Sequence, residues 1–379
     1  MALQTSGAIS LLDIATEFGG TAPHAMSEYY GGGDNVGAGT GVPASGELTL
    51  SDFYGTQAQA AFSTGDSYSS FEEVGKAMAV TATTSLTQNI STNINSTSIG
   101  NWDYVIRDAE TISSFSSATY FSGTTDTRGT FVTWKGDLTI NSGQTFQPSG
   151  RKLWTVLYVD GDLTLNGGIS MSQRGANHSG TSAAAMRIVD GTYSSVSNAQ
   201  VPAAGGAQQT SNGSTGNSGT SGGTGGGGAG YSGDPGRALG GYGAAGTSFT
   251  GGSGGGGVDG CTSHATANGG RGGNGCGERA GAGAGNPGGS GHAASNGGAG
   301  TGGVLIVICT GTITGGGTMT ATGANGSCWS GSRSGGGSGG GSVTALVNTN
   351  SWSGTITANG GTSCQGNGGS GTARILTGL

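Results

Sequence analysis

Charge is the scarcest property of this 379-residue sequence: 9% of residues are charged, where an ordinary soluble domain carries roughly 25%. Only 13 residues are basic, against 20 acidic, and the formal net charge is −7. Phosphate recognition needs clustered Lys and Arg, so no nucleic-acid partner is expected, nor electrostatic docking on an anionic membrane. Proline is almost missing as well, at 6 residues, which removes a collagen-type triple helix. The longest apolar run, residues 304–309, is far too short for a membrane helix, and no membrane insertion is expected. The opening MALQTSGAISLL has neither the basic start nor the apolar stretch of a secretory signal, so export by that route is not expected. The cysteines Cys261, Cys276, Cys309, Cys328 and Cys364 form no C-x-x-C pair, which argues against a zinc or dithiol site. Their spacing leaves a Cys261–Cys276 or Cys328–Cys364 disulfide open, whereas Cys309, within an apolar strand, reads as a small buried hydrophobe. The histidines His24, His178, His264 and His292 are scattered without metal-ligand spacing, and no cofactor or metal is expected.

What the chain has in excess is glycine, 88 residues of it. Glycine loses the most backbone entropy on ordering and brings no side chain to bury, so an ordinary side-chain core cannot extend through much of this sequence.

Repetition organises the rest. Residues 6–14, SGAISLLDI, recur as SGELTLSDF at 45–53, and the second copy's tail, LSDFYG, is matched by MSEYYG at 26–31. Each unit reads as a short strand leading to a turn or one helical turn with Ser and Asp near its start. Its apolar residues, Ile9, Leu11, Ile14, Phe18, Tyr29, Tyr30, Leu48, Leu50, Phe53 and Tyr54, are expected to dock onto a partner or onto sister copies. A self-contained mini-domain is the alternative. This paired opening resembles the N-terminus of tail-fibre and virion structural proteins of marine bacteriophages over about the first 56 residues. The resemblance implies a virion-attachment module that joins other virion tail proteins.

A second repeat starts near Phe131: FVTWKGDLTIN at 131–141, VLYVDGDLTLNG at 156–167, VLIVICTGTITG at 304–315, and VTALV followed by SGTITANG at 343–360. The shared form is an apolar strand, a Gly corner, a short strand and an Asn/Gly corner. That succession suits a β-solenoid, in which each coil hydrogen-bonds to its neighbour, and an antiparallel sandwich is the competing arrangement. The expected fold is therefore mainly β: an attachment module at 1–56, a β-rich connector at 57–130 and a β-solenoid-like or sandwich-like core at 131–174 and 304–379. In the connector, Trp102, Tyr104 and Ile106 alternate as one strand face would.

The core is interrupted at 175–303 by the densest glycine. A flexible linker is the compositional default. The reading adopted is a bundle of polyglycine-II helices, whose backbones approach closely and satisfy one another's amides. In composition this insertion resembles the glycine-rich distal adhesins of T-even-like phages. Large or cationic side chains that break the glycine runs are the candidates for receptor contact: Tyr231, Arg237, Tyr242, Phe249, Arg271, Arg279, His292, Trp329 and Arg333. Covering the ends of the bundle is the other role open to them.

No catalytic constellation stands out. The sharpest enzymatic alternative is a polysaccharide depolymerase, which needs two facing carboxylates, and Asp137, Asp160 and Asp162 are the group to test. The expectation is a non-enzymatic tail fibre, a homo-oligomer with the homotrimer favoured, that attaches the virion to a host glycan or outer-membrane protein. A capsid decoration or head fibre and a cell-encoded surface filament are the remaining alternatives.

Overall fold

The computed structural model describes residues 3–20, 22–31, 35–36, 42–43, 45–56, 61–94, 97–122, 128–152, 154–175, 185–189, 192–196, 230–231, 245, 258–259, 300, 302–326, 337–362 and 367–379. Its described residues are mainly β.

The repeats of the first 56 residues each start a helical turn. Helix α1 (Leu11–Phe18) and two 3-10 turns (Met26–Tyr29 and Leu50–Phe53) carry an acidic residue at the third position. In α1 the Ser10 hydroxyl accepts from the Asp13 amide at 3.2 Å while Asp13 Oδ2 accepts the Ser10 amide at 2.8 Å. The Thr49 amide donates to Asp52 Oδ2 at 2.7 Å, and the Ala25 amide to Glu28 Oε1 at 3.1 Å, where Ala supplies no hydroxyl in return. Such reciprocal caps satisfy amides that a helix start leaves without partners. The three turns then bury Ile9, Ile14, Phe18, Tyr29, Val36, Val42 and Phe53 against one another. For Ile9, Ile14, Phe18, Tyr29 and Phe53 the docking expectation is therefore corrected: they fill a core of their own. The segment's two ends also meet, the Leu3 amide donating to the Thr56 carbonyl at 2.6 Å and the Gly55 amide to Gln4 at 3.0 Å.

Beyond it come strand β1 (Ser67–Tyr68), helix α2 (Phe71–Ala79), β2 (Thr84–Ile94), β3 (Thr97–Arg107), β4 (Glu110–Ile112), the short helix α3 (Ser117–Tyr120), β5 (Gly129–Trp134), β6 (Leu138–Ile140) and β7 (Thr145–Phe146). They are followed by β8 (Thr155–Val159), β9 (Leu163–Leu165), β10 (Gly168–Ser170), β11 (Ala185–Val189), β12 (Thr192–Val196), β13 (Gly230–Tyr231) and β14 (Val258–Asp259). The chain closes with β15 (Val304–Thr314), β16 (Thr318–Thr320), β17 (Ser342–Asn350), β18 (Thr355–Thr357) and β19 (Thr372–Thr377).

Every repeat falls into register with the next. The long strands β3, β5, β8, β15, β17 and β19 pair in that order, all parallel. One row across them reads Val105, Val132, Leu157, Val307, Ala345 and Ile375. A second parallel ladder joins β4, β6, β9 and the end of β15, and a third joins β7, β10, β16 and β18. The antiparallel sandwich does not describe these ladders; the antiparallel pairs among the described residues are β2–β3 and β11–β12. Because β3 pairs with β5, the sheet runs through position 130 without interruption.

Strands β8, β15 and β17 are buried on both faces over residues 155–159, 304–309 and 342–347, which is why they read as hydrophobic runs. Val132, Trp134, Leu157, Val159, Leu305 and Val307 belong to an inner cluster with Leu138, Leu163, Phe146 and Ile169 from the other two ladders. Their alternates, Phe131, Val156, Tyr158, Ile306 and Ile308, join an outer cluster with Phe71, Val74 and Met78 of α2. The predicted strand face Trp102–Tyr104–Ile106 lies in that outer cluster too, with Tyr104 at its margin. Cys309 is fully buried in the inner one.

Candidate functional site

Asp-Gly corners lock one repeat to the next. Asp137 Oδ1 accepts the Asp162 amide at 2.8 Å, and Asp162 Oδ1 accepts the Thr312 amide at 2.7 Å. The glycine before each donor leaves room for the carboxylate: a Cβ at Gly161 would lie 2.5 Å from Asp137 Oδ1, and one at Gly311 2.3 Å from Asp162 Oδ1. Asp160 accepts instead from the Tyr158 hydroxyl at 3.2 Å, and burial raises its carboxyl above the usual carboxylate range. The three aspartates nominated for glycan cleavage thus serve different structural partners, two of them as clamps between strands. Among the described residues no group of three or more His, Cys, Asp or Glu could hold a metal ion, and no helix is long and apolar enough to cross a membrane.

A different kind of order starts where the third ladder ends. Past β10, β16 and β18 the chain continues through residues 171–175, 321–326 and 358–362, and glycine-rich segments, 300 with 302–303, 337–341 and 367–371, lead into β15, β17 and β19. Residues 337–341 are buried throughout. Around them the Gly302 amide donates to Gly339 (3.1 Å), Gly340 to Gly369 (2.9 Å) and Gly361 to Ser338 (2.7 Å). The Ser338 amide donates to Ala324 (2.9 Å) and Gly341 to Ala321 (2.7 Å). One segment therefore bonds to four neighbours, 300–303, 321–326, 358–362 and 367–371. A β-strand bonds to two, because its amides and carbonyls point in two opposed directions. This is a lateral lattice of backbones instead of a sheet.

Only glycine permits it. A Cβ added at Gly340 would sit 1.9 Å from the Ala358 carbonyl oxygen, one at Gly361 1.8 Å from that of Ala324, and one at Gly368 1.9 Å from that of Ser338. The segments satisfy one another's polar groups through main-chain bonds.

Segments of the lattice flank three stretches of the sequence, 176–299, 327–336 and 363–366. Their roots touch. A Cβ at Gly300 would lie 3.0 Å from the Gln173 carbonyl, the Ala324 amide donates to Gly300 at 2.8 Å, and Gly326 donates to Thr362 at 2.8 Å. Asn325 Oδ1 accepts the Thr362 amide at 2.9 Å, and Gly368 donates to Gly361 at 2.8 Å. The first root has further hydrogen bonds: the Lys152 amide donates to the Arg174 carbonyl at 2.8 Å, and the Arg174 guanidinium donates to the Pro148 carbonyl at 2.7 Å. Lys152 is fully buried and its ammonium reaches the Ser122 carbonyl.

Of the nominated contact residues, Tyr231 lies in β13, opposite Asp259 of β14. Arg237, Tyr242, Phe249, Arg271, Arg279, His292, Trp329 and Arg333 lie outside the described residues, as does nearly all of the expected polyglycine-II insertion. In chain order, those up to His292 belong to the 176–299 stretch, and Trp329 and Arg333 to the 327–336 one. Of the nominated attachment residues, Leu50 (38% exposed) and Tyr54 (37%) stay at the surface beside Leu12 (69%), while Leu11, Tyr30 and Leu48 are half-buried. The lattice itself left little trace in the sequence. Its one signal was the glycine pair directly before a strand, at 302–303 and again at 340–341.

No known protein family matches this chain, and no curated protein or solved structure is similar to it.

Proposed function

We propose that this chain is a structural surface protein of a bacteriophage particle, a tail fibre or receptor-binding adhesin that attaches the virion to its host. In this reading the three parallel ladders are the faces of a β-solenoid. The glycine lattice is a polyglycine-II-like bundle whose purpose is display, and the three stretches between its segments carry the receptor contacts, Tyr231, Arg237, Tyr242, Phe249, Arg271, Arg279, His292, Trp329 and Arg333 among them. The first 56 residues seat the protein on other virion tail proteins, with Leu12, Leu50 and Tyr54 as the apolar surface left for that contact. The assembly is a homo-oligomer, with the homotrimer favoured, and the receptor is a surface glycan or an outer-membrane protein.

The observation that supports the proposal is the backbone lattice, in which the described residues flanking 176–299, 327–336 and 363–366 contact one another. A scaffold held by main-chain bonds does not depend on the side chains of the residues between its segments, so contact residues can vary while the scaffold does not. The test is competition. Excess purified chain should block adsorption of the phage that encodes it, and a chain lacking residues 176–299 should not. Undiminished adsorption in the presence of the intact chain would remove the proposal.

A further inference from the structure

Four Asn-Gly pairs lie wholly within the described residues: Asn166-Gly167, Asn325-Gly326, Asn359-Gly360 and Asn367-Gly368. Such a pair carries its own reaction, because glycine has no Cβ to keep its amide nitrogen away from the preceding side-chain carbonyl. The structure treats the four differently. The Gly167 amide donates to the Ile140 carbonyl at 2.9 Å, Gly326 to Thr362 at 2.8 Å and Gly368 to Gly361 at 2.8 Å. Asn325 is held a second time, since its Oδ1 accepts the Thr362 amide at 2.9 Å and the Thr362 hydroxyl at 3.2 Å. At Asn359 neither restraint is present among the described residues: the Gly360 amide donates to no acceptor, and the carboxamide makes no hydrogen bond. The Asn359 side chain is exposed, while Ala358 before it and Gly361 after it are buried.

We propose that Asn359 is a site of spontaneous covalent modification, the point at which the glycine lattice ages. The Gly360 amide gives its proton to hydroxide, and its nitrogen attacks Asn359 Cγ. The bond from Cγ to the side-chain nitrogen breaks, and that nitrogen takes a proton from water and leaves as ammonia. A succinimide ring now joins the two residues, and water opens it. Addition at Cγ leaves an aspartate on an unaltered main chain. Addition at the original main-chain carbonyl carbon leaves an isoaspartyl link, in which the chain runs through Cβ and Cγ. An amide already donating to a carbonyl is held off this path by the bond it makes, which is what protects the other three pairs. The isoaspartyl link lengthens the main chain by a methylene where space is shortest: a Cβ at Gly360 would lie 2.1 Å from the Gly368 carbonyl oxygen. The Gly323 amide, which donates to the Asn359 carbonyl at 2.9 Å, and the Gly361 amide, which donates to Ser338 at 2.7 Å, then lose their register. The inference concerns the scaffold alone and does not depend on the receptor-binding reading.

The experiment is peptide mapping by mass spectrometry of the full chain held folded in mildly alkaline buffer, with a denaturant-unfolded sample as comparator. Each converted Asn reads as the mass gained when an amide becomes an acid, and chromatography separates the isoaspartyl from the aspartyl peptide. In the folded chain Asn359 should convert at least tenfold faster than Asn166, Asn325 or Asn367, and unfolding should bring the four rates together. Aged wild type should melt at a lower temperature than fresh protein, and an equally aged Asn359→Ser variant, which cannot close the ring, should lose less. Asn212, Asn268, Asn274 and Asn296 also precede glycine but lie outside the described residues, and their conversion is common to wild type and variant. Conversion of any of the other three described pairs as fast as Asn359 overturns the inference, as does an Asn359 that stays intact while the unfolded chain is converted. The same order of rates in the unfolded chain overturns it too, because the preference then belongs to the local sequence and not to the lattice. Equal losses of melting temperature in aged wild type and variant remove the consequence drawn for the lattice.

Discussion

Between β5 and β17 the interior is filled by Val, Leu, Ile and Trp from three converging ladders. Where the segments 302–303, 321–326, 337–341, 358–362 and 367–371 meet, a few residues further along the same strands, main chain itself takes up the space. The two regions bury their backbones equally well by opposite means. In the first, side chains hold strands at sheet spacing and the removal of atoms does the damage. In the second, backbones lie within a Cβ radius of one another and the addition of an atom does it. Glycine, the residue with the highest entropic cost of ordering, is tolerable there because each amide ordered also gains a partner.

The largest effect should come from the side-chain half. Leu157→Ala empties a fully buried position in the inner row and should cost about 2–5 kcal/mol, read as a lowered denaturant midpoint. The lattice half is tested by the reverse change. Gly340→Ala forces a Cβ to within 1.9 Å of a carbonyl oxygen and should cost about 1–3 kcal/mol or more. Gly65→Ala has open space and no left-handed backbone, so it should be neutral or stabilise by about 0.4–1 kcal/mol. Equal melting temperatures for the two alanine variants would break the distinction. The smallest effect concerns Asp160. Its carboxyl is raised by burial, so its stabilising contribution is complete below the ordinary carboxylate range and is lost as pH climbs through its folded value. Asp160→Asn keeps the acceptor for Tyr158 and removes that loss. Its melting temperature should exceed wild type at neutral pH and converge with it in acid.

Much of the side-chain half was legible in the sequence. The recurring strands, the Gly corners between them and the Trp102–Ile106 alternation leave a hydrophobic trace, and so do the Ser/Thr and Asp of the N-terminal turns. Helix α2 was overlooked although Ser70 caps it, its hydroxyl accepting the Glu73 amide at 3.1 Å, and Phe71, Val74 and Met78 share a face. Gly75 in its middle hid the pattern; that glycine is where the helix lies on the Tyr158 ring, 2.1 Å from a would-be Cβ. Strand direction was not legible, because both arrangements use the same alternation and only the partner decides. The lattice was least legible of all. Its bonds join main-chain atoms, which every residue has, so composition cannot tell the packed Gly340 from the open Gly65. That is why the expectation of glycine packing was attached to 175–303, whereas the lattice described here draws mainly on 300–371.

The register between β8 and β15 pairs Thr155 with Leu305, about 150 positions apart, while that between β5 and β8 pairs Thr130 with Thr155, about 25 apart. Chain-closure entropy grows only with the logarithm of length, so the longer span costs only about 1.6 kcal/mol more than the shorter. A cassette of over a hundred residues can therefore be swapped, lengthened or shortened between two fixed ends for little more than the worth of one good hydrogen bond. Diversification at that position is thermodynamically cheap, and β15 can be synthesised long after β8 and still find its place.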